Sequence, residues 1–410
     1  MDTNLNNERF RKENKGKPFL IGYFLIILNQ VLSQSQFNEI EIARYSLKAM
    51  RWGLLFFLIL ITIKHRRYQK EKRTLFWAVF LMVSLIEMIF LRGGILLIIL
   101  SVVVIGSVKT DMKYIIKTHI AALITGIIFV VSSSFIGILE NQVAYKNFDN
   151  LTGFLFKNSN LQYNLGFLNS NVAPIICVYI TLYVMLLLQK KYRRRYDLYA
   201  IVANFILYLI CGSRVCIILL FASIIIRNLV VLREYVSIKY FVLVCKVSLI
   251  AALLITFFLP ISSLYSNQIV RKLDVMLTAR ITISRNVLTL FPINLWGYEN
   301  MQFLTSDLYL TMDNGYLALF VTRGAVIGLL FIISIFMMID FAQKRKDLYL
   351  LLILLIMILD NLIDNSLLNY ITFPLYIMTY NGRFEPINQK KIEPRAALLF
   401  PFPRNQEIEV

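Results

Sequence analysis

The sequence is short of charge, histidine, cysteine, glycine and proline. Only 16% of its 410 residues are charged, against about 25% in an ordinary soluble protein. A soluble enzyme and a disordered tail protein are excluded on that ground. The four cysteines, Cys177, Cys211, Cys216 and Cys245, lie in apolar runs without a CxxC pair. They read as small buried hydrophobes, and a secreted disulfide scaffold is excluded. The two histidines, His65 and His119, are far apart, and no HExxH or His/Cys cluster exists. No metal site is therefore expected. A Walker loop and a GxGxxG fingerprint are missing too, so nothing points to ATP or a dinucleotide, and no cofactor is expected.

What is present is apolar: 58% hydrophobic residues, with Phe 30 and Tyr 22, and a mean hydropathy of +0.67. This composition predicts an all-α, polytopic integral membrane protein. Twelve apolar segments are candidate transmembrane helices: 19–33, 49–63, 74–91, 94–108, 118–138, 166–188, 198–211, 214–229, 239–259, 314–339, 347–363 and 366–380. They form one polytopic domain over residues 1–410, with very tight turns at Arg92-Gly93-Gly94 and Gly212-Ser213-Arg214. Residues 1–18 are polar and no small-residue cleavage site follows, so no cleavable signal peptide is expected. With the N-terminus inside, thirty lysines and arginines fall on the cytoplasmic side and ten outside, with three more inside apolar segments. That bias predicts both termini in the cytoplasm. It also explains the net charge of +19 without nucleic acid. The run Lys190-Lys191-Tyr192-Arg193-Arg194-Arg195 reads as a topology anchor facing anionic lipid, with a partner site as the lesser alternative. Two outer loops, 139–165 and 260–313, are long enough to suggest function. No internal repeat is evident, and the proline-bearing segment 381–410 reads as a cytoplasmic tail.

Ionisable residues at membrane depth need a reason, since each costs about 2.5–3.5 kcal/mol on insertion scales. Arg92 and Arg214 stand at the tight outer turns, either as snorkelling end residues or as cations facing a cavity. Glu87 is placed to pair with Arg92. Asp360 and Asp364 share one helix face and call for an arginine opposite. Arg323, inside the tenth segment, reads as an interhelical hydrogen-bond partner, with a functional role as the alternative. In the large outer loop, residues 269–288 project as one amphipathic helix with Ile269, Leu273, Met276, Leu277, Ile281, Val287 and Leu288 on its apolar arc. Arg271 and Arg285 lie on the wet face, but Arg280 falls within the apolar arc. Arg280 either lines an anionic site or forms a structural pair with a carboxylate such as Asp313. A two-pronged guanidinium suits phosphate oxygens.

Four local features resemble the Wzy-type polysaccharide polymerases, part of the superfamily that includes the O-antigen ligases. The first is Leu165-Gly166-Phe167-Leu168-Asn169-Ser170-Asn171, similar to the family's R-x-S-L-G-F-x-H-P-N stretch. Here Gln162 stands at the arginine position, Asn169 replaces the histidine and Ser170 the proline. The second is the Gly212-Ser213-Arg214 turn. The third is the segment from Arg280 to Gly297, which ends Leu295-Trp296-Gly297-Tyr298. The fourth is Asp313-Asn314-Gly315-Tyr316, leading into a segment with Gly324 and Gly328. Together they cover roughly 160–330.

The resemblance implies an enzyme that joins undecaprenyl-pyrophosphate-linked oligosaccharide repeat units at the outer face of the cytoplasmic membrane. Its partners would be those lipid-linked glycans, membrane lipids, and a flippase and chain-length regulator. The chemistry needs cations on the leaving pyrophosphate and a group that deprotonates the acceptor hydroxyl. On this resemblance, Arg280 and Arg214 hold the pyrophosphate, with Arg92, Arg271 and Arg285 as weaker candidates. Asp313 is the base or orients an arginine, and Asn171 binds sugar or phosphate. Trp296, Tyr298 and Tyr316 offer faces to sugar rings or form an interfacial aromatic belt. Two rival readings stand beside it. A flippase for lipid-linked oligosaccharide suits many spans but not the asymmetric outer loops. A ligase-type glycosyltransferase would want the outer histidine that this chain lacks.

Overall fold

The computed structural model describes residues 16–65, 72–91, 95–141, 143–145, 161–189, 194–232, 237–277, 279–298, 312, 314–364 and 369–381. Among them the regular structure is helical apart from one short antiparallel strand pair and an isolated bridge between Ser35 and Phe167. The helices are α1 Lys17–Ser33, α2 Glu41–His65, α3 Lys72–Leu91, α4 Leu96–Gly106 and α5 Met112–Phe135. Strands β1 Val143–Tyr145 and β2 Leu161–Tyr163 follow, with Ala144 opposite Gln162. Then come α6 Val172–Leu188, α7 Arg194–Cys211, α8 Arg214–Leu232, α9 Ile238–Leu253, α10 Gln268–Met276 and α11 Arg280–Leu290. The chain closes with α12 Gly315–Arg345, α13 Leu348–Ile363 and α14 Phe373–Asn381. Beyond Leu253, α9 runs through a wide π-type turn, Leu254–Phe258, to Ile261.

Every one of the twelve apolar segments contains a helix. Four stretches are long and apolar enough to cross a membrane: Glu41–Lys64, Met112–Phe135, Ile238–Ile261 and Gly315–Arg345. At 1.5 Å per residue, a 24-residue stretch such as Met112–Phe135 is about 36 Å long, more than a hydrocarbon core of about 30 Å. Helix α4, with 11 residues, reaches only about half that thickness. It is buried on nearly all sides, from Leu97 to Gly106, so neighbouring helices rather than lipid surround it. Large apolar side chains instead face outward on the longer helices, among them Phe56, Leu60 and Ile63 of α2 and Ile124 and Ile128 of α5. A soluble monomer does not expose apolar surface on this scale.

Helix ends follow local chemistry. Asp111 accepts from the Lys113 N–H at 2.8 Å and starts α5. Asn314 accepts from the N–H groups of Tyr316 and Leu317 and starts α12. Asp347 accepts from Leu350 N–H and starts α13. Such caps satisfy donors that the helix itself leaves open. At the other end of α12, Lys346 turns left-handed (φ 54°) and stops the helix.

The interior is stitched by aromatic rings. Trp77 and Phe80 of α3 meet Phe331 of α12 and Tyr376 of α14, edge to face at 5.1–6.1 Å. Tyr23 of α1 hydrogen-bonds His119 Nδ1 of α5 at 2.9 Å. The His119 ring packs edge-on against Tyr183 of α6, whose hydroxyl donates to the Ile371 carbonyl at 2.6 Å. His119 is thus a packed core residue.

Two sequence expectations are corrected. The segment expected to begin at 166 becomes helical only at Val172. Residues 165–168 form instead a turn pinned to the end of α1: Gln36 N–H donates to Gly166 O at 2.9 Å and Leu168 N–H to Gln34 O at 3.0 Å. The single amphipathic helix over 269–288 is two helices, α10 and α11, because Ala279 is left-handed (φ 63°). Asp274 supports the break by capping α11. Its Oδ1 accepts from Ile281 N–H at 2.7 Å and Thr282 N–H at 3.2 Å, and its Oδ2 accepts from the Thr282 hydroxyl. Ile281, Val287 and Leu288 are buried, whereas Ile269 is exposed. The apolar arc is therefore not continuous.

Candidate functional site at one end of the bundle

Several features far apart in the sequence gather at one end of the helical bundle. The 165–168 turn pairs with the end of α1. Gln34 accepts from the Tyr370 hydroxyl at 3.1 Å, which brings in the segment before α14. Tyr179 of α6 donates to Asp360 of α13 at 3.1 Å. Cys216, in the first turn of α8, lies within electrostatic range of Asp360 and Asp364 and hydrogen-bonds Ser213. The start of α12 joins them: the Cα of Gly315 lies against the Asn361 side chain, and Tyr316 donates to the Ile358 carbonyl at 3.1 Å. Asn314 reaches across to Thr256 of the π-type turn at 2.9 Å.

The large loop before α12 is latched to this end through that helix. That helix carries one non-helical residue, Gly324 (φ 81°, ψ 170°), which interrupts its backbone ladder. The freed N–H groups are taken by the loop: Ala325 N–H donates to Asn294 O at 2.8 Å and Val326 N–H to Leu295 O at 3.2 Å. Gly297 (φ 84°) comes so close that a Cβ there would overlap the Thr322 carbonyl. A Cβ at Gly324 would lie 2.5 Å from Gly297 N. Asn294 braces the turn, accepting from Trp296 N–H and Gly297 N–H and donating to Gly297 O. Tyr298 closes it by donating to Pro292 O at 2.7 Å.

One residue before the kink, Arg323 meets Glu87 of α3 at 2.8 Å. The Glu87 side chain is 2% exposed and that of Arg323 21%. The expected partner of Glu87, Arg92, lies outside the described residues; Glu87 reaches across to α12, where Arg323 takes the interhelical role expected of it. Removing one partner of such a pair strands the other charge, so Glu87→Ala should destabilise the folded chain by about 2 kcal/mol. Thermal unfolding of the detergent-solubilised protein checks this, and the double variant Glu87→Ala/Arg323→Ala should lose less than the sum of the two single changes.

The predicted site residues are distributed as follows. Arg280 is the first residue of α11 and is half-buried. Arg214 is the first residue of α8, also half-buried, next to the Gly212 turn (φ 67°). Arg271 is exposed on α10, and Arg285 is exposed with its guanidinium 4.3 Å from the Tyr265 ring centre. Asn171 precedes α6 without capping it by side chain, and its N–H donates to Asn169 Oδ1. Tyr316 is fully buried with its hydroxyl on the Ile358 carbonyl, so its ring presents no open face here. Trp296 is exposed and Tyr298 half-buried, against Phe291. Asp313 lies outside the described residues. Arg214, Asn171 and Tyr316 thus belong to elements that meet at one end, to which α11 is joined through the loop and α12.

The latch itself was not read from the sequence. Its signal was Asn294 three residues before Gly297, with Gly324 in the middle of an otherwise unbroken apolar helix. Asp274, which caps α11, has no place in the sequence reading either. Among the described residues, no three His, Cys, Asp or Glu side chains gather as a metal site would require.

Compared with protein-family models, with curated proteins and with solved structures, the chain matches none. Its class rests on its own features. It has the make-up of a helical membrane protein: among the described residues it is mostly helical, with four stretches long and apolar enough to cross a membrane.

Proposed function

We propose that this protein is a polysaccharide polymerase of the cytoplasmic membrane, with about twelve spans and both termini inside. It transfers a growing glycan from undecaprenyl pyrophosphate to the incoming lipid-linked repeat unit. The acceptor hydroxyl oxygen forms a bond to the anomeric carbon of the growing chain. The bond from that carbon to the pyrophosphate breaks, the lipid pyrophosphate leaves, and the hydroxyl proton passes to a base. No metal is required if fixed guanidinium groups take the developing phosphate charge.

One observation supports this reading above the others. The four local features that resemble the Wzy-type family belong to elements gathered or latched at one end of the bundle. That end also carries the start of α8 with Arg214 and, through the loop, α11 with Arg280. Arginines at helix N-termini add their charge to the positive end of the helix dipole, which favours an anion. In this proposal Arg280 and Arg214 hold the pyrophosphate, Arg271, Arg285 and Arg92 line its approach, and Asp313 is base or orienting group. Asn171 contacts sugar or phosphate.

The test is the size distribution of surface glycan from a deletion strain, run beside the complemented strain. The expected result is collapse to a single lipid-linked repeat unit displayed outside. Repeat units stranded on the cytoplasmic side would assign the chain to transport instead.

A further inference from the structure

The first of the long apolar helices, α2, carries a cation in an unusual setting. Arg51 donates through Nε to Asn29 Oδ1 at 3.2 Å and through Nη2 to Ser33 Oγ. Both partners are neutral groups in the last turns of α1. The other intrahelical cations with a described carboxylate are different: Arg227 meets Asp197, Lys246 meets Asp340 at 2.9 Å and Arg323 meets Glu87 at 2.8 Å. Among the described residues Arg51 forms no ion pair with a carboxylate. A guanidinium has more N–H donors than these two bonds use, and its charge is left without compensation at the membrane boundary.

The surroundings extend the pattern. Arg44, Lys48 and Arg51 are spaced four and three residues apart, so they share one face of α2. Arg44 and Lys48 both lie over the Tyr45 ring, at 5.4 and 5.8 Å from its centre. The Arg44 Nε is buried without a partner. Between α1 and α2 sits Gln36, 3% exposed, with both side-chain amide atoms unpartnered. Gln30 in α1 is 7% exposed, and its Nε2 has no partner either. Buried amides are nearly always hydrogen-bonded in a finished core, so Gln36, in the connection between α1 and α2, is a polar group that lacks its partner. Arg51 is level with the end of α1, since it bonds that helix's last turns, and Trp52 beside it is exposed. Arginine, lysine and an exposed tryptophan at that level match the headgroup zone of a bilayer.

We infer that the ends of α1 and α2 form a binding site for the phosphate group of an anionic lipid, with Arg51, Lys48 and Arg44 as its cations and Gln36 as a neutral donor. The site lies at the same end of the bundle as the proposed glycan chemistry but uses none of the residues assigned to it. It needs only that α2 crosses the membrane, and it stands whether or not the chain polymerises glycan. A phosphodiester takes a forked guanidinium contact and offers further oxygens to the ammonium and the amide. The headgroup-level position selects a lipid phosphate over one free in solution.

The full chain, purified in an uncharged detergent, tests this by its unfolding temperature. A ligand that binds only the folded state raises that temperature with concentration. Dihexanoyl phosphatidylglycerol should stabilise the protein, whereas dihexanoyl glycerol, which has no phosphate, should not. Arg51→Gln should need about tenfold more phosphatidylglycerol for the same shift, the loss of one charge-assisted contact. Lys48→Gln, at an exposed position outside the Asn29–Ser33 network, should show a smaller change in the same direction, and it carries the test if Arg51→Gln does not fold. Equal responses of wild type and both variants would overturn the site. Equal stabilisation by inorganic phosphate at the same concentration would overturn the assignment to a lipid.

Discussion

A methyl group added at Gly324 should unseat the loop that precedes α12 and destabilise the folded chain by on the order of 4 kcal/mol. Two effects act together. The backbone at Gly324 has φ 81° and ψ 170°, a region that is essentially closed to residues with a Cβ. The new Cβ would also press on the backbone of residues 295–297, including Gly297 N at 2.5 Å. Backbone atoms held by the Asn294 brace and by two hydrogen bonds to α12 cannot rotate aside as a side chain would. Gly297→Ala should act on the same contact from the other side. The two substitutions together should therefore lose much less than their sum, because the first already opens the latch. Gly53→Ala is the internal standard. A Cβ there meets nothing within 4 Å, and replacing glycine within a helix gains up to about 1 kcal/mol. Unfolding temperatures of the four variants in one detergent settle the matter. A Gly324→Ala protein as stable as wild type would mean that the loop is not held at the kink.

The contrast between Gly324 and α4 shows how far the sequence could be read. Apolar runs located a helix in all twelve segments, because burial and hydrogen-bonding pull an uncharged run of that length into a helix whatever its neighbours are. They could not say how long each helix is or what surrounds it. Helix α4 has one of the most apolar sequences, yet it is short and enclosed by protein. The pairing of charges was less legible still. Arg323 reads in the sequence as an interhelical partner, but nothing there names Glu87, 236 positions away, as the group it bonds. Helical projection failed at Ala279 because one left-handed residue resets the phase of everything after it. It therefore placed Arg280 within an arc, when Arg280 in fact opens a new helix. Asp274 had no capping signature, since the helix it caps begins after a turn that sequence spacing does not reveal. Arg51 was visible as a charge in an apolar segment, but its neutral partners come from the preceding helix.

The resetting at Ala279 sharpens the expectation for Arg280. At the first position of α11 its side chain leaves from the positive end of the helix dipole. The cap on that end is Asp274, not Arg280. Structure and proposed chemistry can thus be separated. Arg280→Ala should leave the level of chain in the membrane unchanged and reduce surface glycan to single repeat units. Loss of one preorganised donor to a developing oxyanion lowers turnover by about 10²–10³, enough to prevent long chains from accumulating. Arg280→Lys should restore part of the length, since it keeps the charge but not the two-pronged geometry. Asp274→Ala serves as the opposite case. It should destabilise the fold by about 1–2 kcal/mol through loss of the cap, lowering the amount of protein along with the amount of polymer. Polymer of normal length from Arg280→Ala at normal protein level would remove Arg280 from the site. The pyrophosphate would then have to be held from Arg214 at the head of α8, the other half-buried arginine that begins a helix at this end of the bundle.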